Sequence, residues 1–346
     1  MPSLDATATV AVVGAGTMGA GIAQVAALAG HRVLLTDAAT GRAAQAIDDV
    51  RAQLARLAAK GRLDPGSADA AAQRLTPVHD IAALAPAALV IEAAAESLEV
   101  KRALFGALEG VVADDCLLAT NTSSLSVSAI AAGLRLPGQV AGMHFFNPAP
   151  VMPLVEVVSG LDTAGEVAEQ VAAAAAGWGK TPVHVGSTPG FIVNRVARPF
   201  YGEGLRGLEE RAADPATIDA VLRESGGFRM GPLELTDLIG QDVNDAVNRS
   251  VWAGFGHDPR YAPSLAQRAL VDAGRLGRKT GQGFYRYGPG APRPEPATAA
   301  AAPSPAEVTV TGVGGRGSRC GSASRRLASE CCATAGPARR SRTSAT

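Results

Sequence analysis

Val10-Ala-Val-Val-Gly-Ala-Gly-Thr-Met-Gly-Ala-Gly-Ile-Ala23 is a short apolar run, then glycines at 14, 16 and 19, then the small-residue start of a helix. A second apolar run, Arg32-Val-Leu-Leu-Thr36, ends in Asp37. Strand, glycine turn, helix, strand and acid, in that order, is the layout of a dinucleotide site. Gly14 permits the tight turn, Gly16 leaves room for a pyrophosphate, and Gly19 lets the helix sit close to the sheet, with Thr17 and Met18 at the helix start between them. The helix N-terminus offers free N–H groups and a positive dipole end to the phosphates. Asp37 can accept hydrogen bonds from both ribose hydroxyls, and its charge repels a 2′-phosphate. The expected cofactor is therefore NAD rather than NADP.

The pattern continues outward from this unit. Strands are expected at Val10–Val13, Arg32–Thr36, Ala88–Glu92, Cys116–Thr120 and Val140–Phe145, with further extended runs at Leu154–Val158 and Pro182–Val185. Helical stretches near 17–29, 40–60, 98–112, 125–132 and 163–177 separate them. Strand–helix alternation with right-handed crossovers predicts an α/β fold, a Rossmann-type doubly wound parallel sheet with its ligand at the carboxyl ends of the strands. At Ser187-Thr-Pro-Gly190 the pattern changes to helical periodicity alone, so a smaller all-helical domain is expected to follow. The expected division is 1–187 for the NAD-binding domain and 188–288 for a helical substrate and dimerisation domain. Residues 289–346 read as a disordered or aberrant tail. That tail is rich in Pro, Ala, Gly and Ser, and over 306–346 it carries seven Arg and no Lys or Asp. An acidic partner for those arginines is the alternative reading.

Composition narrows the function classes. Lys and Arg together number 32 and Asp and Glu 32, so no net field draws the chain to nucleic acid or a membrane surface. No apolar run approaches the roughly 18 residues that span a bilayer, and no basic segment precedes an apolar one near the start. A cytoplasmic enzyme with no nucleic-acid or membrane partner is expected. The four cysteines have neither a disulfide framework nor zinc spacing, so no metal is expected.

Three further segments fall near strand ends: Asn121-Thr-Ser-Ser-Leu125, His144-Phe-Phe-Asn-Pro148 and Leu154-Val-Glu-Val-Val158. An imidazole where an α/β sheet meets its crevice is well placed to exchange protons near neutrality. Glu156 stands alone among Leu154, Val155, Val157 and Val158, and a buried lone acid is costly unless paired. His144 is its expected partner, and a carboxylate there would fix the imidazole tautomer. Ser123 and Ser124 are read as one helix cap and one ligand-facing hydroxyl.

These pieces resemble the NAD-dependent L-3-hydroxyacyl-CoA dehydrogenases. So do Glu96-Ser-Leu-Glu-Val-Lys101, Val151-Met-Pro-Leu-Val-Glu156, Thr188-Pro-Gly-Phe-Ile-Val-Asn-Arg195, Met230-Gly-Pro-Leu-Glu-Leu235 and Gly277-Arg-Lys-Thr-Gly-Gln-Gly-Phe-Tyr285, in family order across residues 8–287. The resemblance implies oxidation of a 3-hydroxyacyl-CoA to a 3-ketoacyl-CoA. His144 would be the general base and Glu156 its orienting partner. Ser123 and Asn194 would bond the acyl oxygen and the nicotinamide end. Asp37, Glu96, Lys101, Asn121, Asn147 and Lys279 would contact NAD, and Lys60 would contact a CoA phosphate. It also implies a homodimer through the helical domain, with Ser187–Gly190 as a hinge.

Asp242-Val-Asn-Asp-Ala-Val-Asn-Arg-Ser-Val-Trp252 and Asp258-Pro-Arg-Tyr261 resemble the branch of phenylacetate degradation that acts on 3-hydroxyadipyl-CoA. Members of that branch usually carry a duplicated helical domain, which this chain lacks. A short-chain 3-hydroxybutyryl-CoA dehydrogenase is the alternative, and a non-catalytic NAD-binding protein the alternative outside enzymes. Arg195, Arg198, Arg229 and Arg249 are the candidates to pair with a distal carboxylate.

Overall fold

A computed structural model of the chain describes residues 4–5, 7–292, 294–297, 308–309 and 319–320. Its strands and helices alternate as β1 (Thr9–Val13), α1 (Thr17–Leu28), β2 (Arg32–Thr36), α2 (Arg42–Ala59), α3 (Pro65–Arg74), β3 (Leu75–Pro77), β4 (Ala87–Glu92), α4 (Leu98–Glu109), β5 (Leu117–Thr120), α5 (Val127–Ala131), β6 (Val140–Phe145), β7 (Leu154–Ser159), α6 (Gly165–Gly177) and β8 (Thr181–Gly186). The eight strands form one sheet in the order β3-β2-β1-β4-β5-β6-β7-β8.

The central strands are apolar on both faces because both faces are covered. Ile22 of α1, Ile47 and Leu54 of α2, and Val167 and Val171 of α6 pack on one side. Phe105 and Leu108 of α4 and Val127 and Ile130 of α5 pack on the other. Chain order reverses about β1, which lies between β2 and β4, so the crevice opens at the carboxyl ends of β1 and β4.

The sheet departs from the all-parallel expectation at one joint: β6 and β7 run antiparallel, with Gly142 opposite Val158 and His144 opposite Glu156. The link between them, residues 146–153, is too short for a parallel crossover, which needs a dozen residues or more. The short edge strand β3 and the helix α3 were not foreseen. Leu75-Thr-Pro77 is three residues long and ends in a proline that only an edge tolerates.

Beyond β8 the chain is helical: α7 (Val193–Glu209), α8 (Pro215–Ala220) continuing into a π turn at Val221–Ser225, α9 (Pro232–Ile239), α10 (Gln241–Gly254) and α11 (Leu265–Asp272). Its apolar centre is small, with Tyr201, Leu205, Ile218 and Leu233 buried. Two buried acids do much of the tying. Asp219 accepts from the amides of Leu233 and Glu234 at the start of α9 and from the Tyr285 hydroxyl at 2.6 Å. Asp237 accepts from the amides of Phe284 and Tyr285 and from the Tyr287 hydroxyl. These bonds fasten the segment after α11 back onto the helices.

No helix among the described residues is long and apolar enough to cross a membrane. The described residues up to Pro296 belong to one compact unit. Of the second, 297–346, only Ala297 and the antiparallel pair β9 (Val308–Thr309) and β10 (Arg319–Cys320) are described. The disorder expected of the tail otherwise lies outside the described residues.

Candidate active site

The glycine turn is shaped as its sequence requires. Gly14 leaves β1 with φ +106°, and a side chain there would run into the main chain at Ala93. A side chain at Gly19 would collide with the carbonyl of Gly14, so α1 can close on the turn only without one. Gly16 caps α1 with extended backbone, Thr17 is exposed at the helix start, and Met18 packs against the core beneath.

Asp37 accepts from the Ala15 amide at 2.7 Å and from the Ala39 amide at 2.9 Å. The carboxylate thus shapes the turn, and each oxygen keeps a lone pair for a ribose hydroxyl. A cavity of about 600 Å³ lies here, lined by Gly14, Gly16, Asp37, Arg42, His79 and Ala93–Ala95. Turn, helix terminus, acid and cavity together fit the adenosine and pyrophosphate of a dinucleotide. Arg42 Nε lies 3.8 Å from Asp37, and neither Arg42 nor His79 was foreseen. Both sit in segments whose pattern carries no motif.

At the far side of the crevice, the antiparallel register sets His144 directly opposite Glu156, and Nδ1 lies 2.6 Å from Oε2. His144 is 5% exposed and Glu156 is fully buried. The other carboxylate oxygen accepts from the amides of Ile192 and Val193, at 2.8 and 2.9 Å, where α7 begins. With Nδ1–H donating to the carboxylate, Nε2 carries the lone pair that can take a proton. Phe146 and Phe191 flank the ring, with centroids 4.6 and 5.6 Å away. Phe191 holds φ +50°, a left-handed conformation that a bulky residue adopts only when its surroundings impose it.

The segment after β5 is organised by an acid. Glu96 Oε1 accepts from the Thr122 hydroxyl at 2.6 Å and from the amides of Ser123 and Ser124 at 3.0 and 3.2 Å. Neither serine caps α5; Ser126 does, accepting from the Ala129 amide. The expected cap at Ser123 or Ser124 is thereby corrected, because both hydroxyls are drawn to Glu96 instead. Asn121 bridges to the next strand, its Oδ1 accepting from the Phe145 amide at 2.8 Å.

Lys101 is not open to the crevice. It is 1% exposed and bonds Glu92 at 2.6 Å and Glu96 at 3.3 Å. Glu92 was missed as a site residue. It is a buried carboxylate at the end of β4 that also accepts from the Thr120 hydroxyl and the Ala94 amide. An acid closing an apolar strand, with a lysine nine positions on, was the available signal.

Burial pushes the Glu156 carboxyl up, but bonds from His144 and the α7 amides outweigh it and hold it below its ordinary value of 4.5. Glu96 is likewise lowered: burial raises it, and the Thr122 hydroxyl and the Lys101 charge more than reverse that. Such groups lend stability above the unfolded carboxyl value, and it is lost as pH falls through the folded one. The urea midpoint is therefore expected to stay level from about pH 7 to 5 and to drop below about pH 4.5. A midpoint that is level down to pH 3 contradicts the two pairings. Burial also pushes the Cys116 thiol up to about 12, which removes it as a nucleophile near neutrality.

Asn194, in the first turn of α7, reaches back to the sheet: its Nδ2 is 3.5 Å from the Ser123 carbonyl oxygen. Asn147 follows β6 and lines a second cavity of about 430 Å³ together with Gly16, Thr17, Arg42 and Pro148. Two further residues are expected ligand contacts. Lys60 is exposed at the end of α2. Lys279 Nζ is committed to Asp242 at 2.6 and 2.8 Å in the helical part.

Residues 9–188 match the family model described as 3-hydroxyacyl-CoA dehydrogenase, NAD binding domain, and residues 190–287 match the corresponding C-terminal domain. The 3-hydroxyadipyl-CoA dehydrogenase of Escherichia coli (strain K12) is 58% identical over 277 residues, covering 80% of this chain and 58% of that relative. The chain thus spans little more than half of that protein's length. A probable 3-hydroxybutyryl-CoA dehydrogenase of Deinococcus radiodurans is 39% identical over 80% of this chain and 99% of its own length. Among solved structures, a 3-hydroxybutyryl-CoA dehydrogenase from Escherichia coli K12 aligns with a TM-score of 0.83 at 53% identity, over 90% of this chain and 66% of that one. The (S)-3-hydroxybutyryl-CoA dehydrogenase from Ralstonia eutropha gives 0.78 at 38% identity, over 82% and 99%.

Proposed function

The chain belongs to the 3-hydroxyacyl-CoA dehydrogenase family, and we propose that it oxidises L-3-hydroxyacyl-CoA thioesters at C3. The carrying observation is the buried 2.6 Å pair of His144 and Glu156 at the crevice that the glycine turn opens. NAD, when bound along residues 14–19 and Asp37, supplies the acceptor for the hydride from C3. His144 Nε2 takes the hydroxyl proton, and Glu156 stabilises the imidazolium that results. Ser123 and Asn194, brought together by α7, orient the oxygen at C3.

We read 3-hydroxyadipyl-CoA as the preferred substrate, and with it a place in phenylacetate-type aromatic breakdown. The 58% identity to the Escherichia coli enzyme of that name, against 39% for the Deinococcus one, supports it. A 3-hydroxybutyryl-CoA dehydrogenase is the second reading, favoured by one observation: relatives with that name match this chain over nearly their whole length. Steady-state kinetics with both thioesters decide. A kcat/KM for 3-hydroxybutyryl-CoA equal to or above that for 3-hydroxyadipyl-CoA removes the first reading.

We also propose that the junction at Ser187–Gly190 divides cofactor from helical domain, and that the helical domain forms a homodimer. Exposed Val196, Val221, Phe228, Leu238 and Val243 support the latter. Light scattering that returns a monomer mass would remove the dimer.

Asp37→Ala takes the acceptor from Ala15 and Ala39 and the repulsion from a 2′-phosphate, while Arg42 stays 58% exposed nearby. NADH affinity is expected to fall about tenfold, the scale of one bond to a charged group, and the NADH/NADPH affinity ratio to shrink by at least as much. Fluorescence titration measures both. A ratio that does not move excludes Asp37 as the ribose acid.

A further inference from the structure

One arginine beside the candidate site is nearly closed to water and, among the described residues, has no acid to pair with. Arg198 is 5% exposed and forms no ion pair with an Asp or Glu among the described residues. Its Nη2 lies 3.4 Å from Asn194 Oδ1 and its Nη1 3.4 Å from the Asn244 carbonyl oxygen. Its guanidinium carbon lies 4.7 Å from the centre of the Tyr201 ring, and Nε has no hydrogen-bond partner among the described residues. Burying a cation in this way is costly, and an aliphatic residue would fill the place more cheaply. The arrangement makes sense when something else supplies the negative charge.

We propose that Arg198 receives the distal carboxylate of a 3-hydroxydicarboxylyl-CoA, and so sets the enzyme's preference for diacid over plain acyl chains. The proposal rests on the dehydrogenase reading above and deepens it. Asn194 and Arg198 are four residues apart on α7, one above the other on the same face and about one turn, ~5–6 Å, apart. In a six-carbon diacid the distal carboxyl carbon is three bonds from C3, about 4 Å in an extended chain. An oxygen at C3 held near Asn194 therefore puts the far carboxylate within reach of the guanidinium fork, which binds carboxylates in two-point fashion.

The other candidate arginines do not offer this. Arg249 is bonded to Asp245 at 2.8 Å, Arg195 is exposed over the Phe255 ring, and Arg229 is exposed. A four-carbon acyl chain stops short of the fork and leaves the cation unpaired, so the same residue rewards one substrate and disfavours the other.

The test compares 3-hydroxyadipyl-CoA with 3-hydroxyhexanoyl-CoA, which has the same carbon count and no carboxylate. In the wild-type protein, kcat/KM is expected to favour the diacid by about 100-fold, mostly through KM. Arg198→Met is expected to bring that ratio close to one, and Arg198→Lys to restore part of it. A wild-type ratio below about threefold overturns the proposal without any variant. So does an Arg198→Met enzyme that loses activity equally on both thioesters, because that is the signature of a packing role. Turnover of neither thioester by the wild type sinks the dehydrogenase reading and this inference with it; turnover without discrimination sinks only the role of Arg198.

Discussion

His144→Gln is expected to lower kcat by about 10²–10⁴-fold while NADH affinity stays within about twofold. Glutamine fills a similar volume and can still donate a hydrogen bond to Glu156, so the sheet joint survives. It cannot take a proton at neutral pH, so the hydroxyl of the substrate loses its acceptor. The cofactor cavity, lined by Gly14, Asp37, Arg42 and His79, does not include His144, which is why binding and turnover separate. Stopped-flow and steady-state rates measure the first, and NADH fluorescence the second. A variant that keeps turnover within tenfold of the wild type shows that another group takes the proton.

Glu156→Gln is expected to lose both activity and stability. The side chain amide presents an NH₂ or an oxygen to Nδ1, but not the charge that favours imidazolium. If the NH₂ faces the ring, Nδ1 must accept, the proton moves to Nε2, and the base is blocked. The loss in kcat is expected within an order of magnitude of that for His144→Gln. The Ile192 and Val193 amides now bond a neutral oxygen at best, a loss of about 1–3 kcal/mol that a urea titration reads as a lower midpoint at unchanged slope. The acid limb of the stability profile should also flatten, since the lowered carboxyl is gone. Wild-type turnover in this variant excludes the orienting role. An unchanged midpoint excludes the tie to α7.

Much of this was legible in the chain itself. Alternation of apolar strands with helices placed seven of the eight sheet strands close to their observed bounds, and the lone Glu156 in an apolar strand pointed to His144 twelve residues earlier. What escaped notice shares a cause. The place of Glu92 and the bonds made by Ser123 and Ser124 depend on contacts between segments 27 or 28 residues apart, and the burial of Lys101, an expected cofactor contact, depends on Glu92 nine residues before it. The antiparallel joint hides in a short linker, and β3 in three residues ending in proline. Among the four candidate arginines, spacing alone could not show that Arg249 is already paired with an acid and that Arg198, among the described residues, is not. Lys60 and Lys279 are expectations carried by the family resemblance, toward a CoA phosphate and NAD; Lys60 caps the end of α2 and Lys279 bonds Asp242.

Glu156 touches two things at once: the imidazole through one oxygen, and through the other the first two amides of the helix that follows Phe191. Conformational state and protonation state are therefore thermodynamically linked, and the linkage is reciprocal. Any displacement that withdraws those amides raises the proton affinity of the carboxyl, and any proton placed on the carboxyl weakens the grip on the helix. Medium acid enough to protonate that carboxyl, below its ordinary value of 4.5, thus biases the molecule toward a released arrangement in which the imidazole has also lost its counter-charge, so the proton-accepting device disarms itself whenever its two halves come apart.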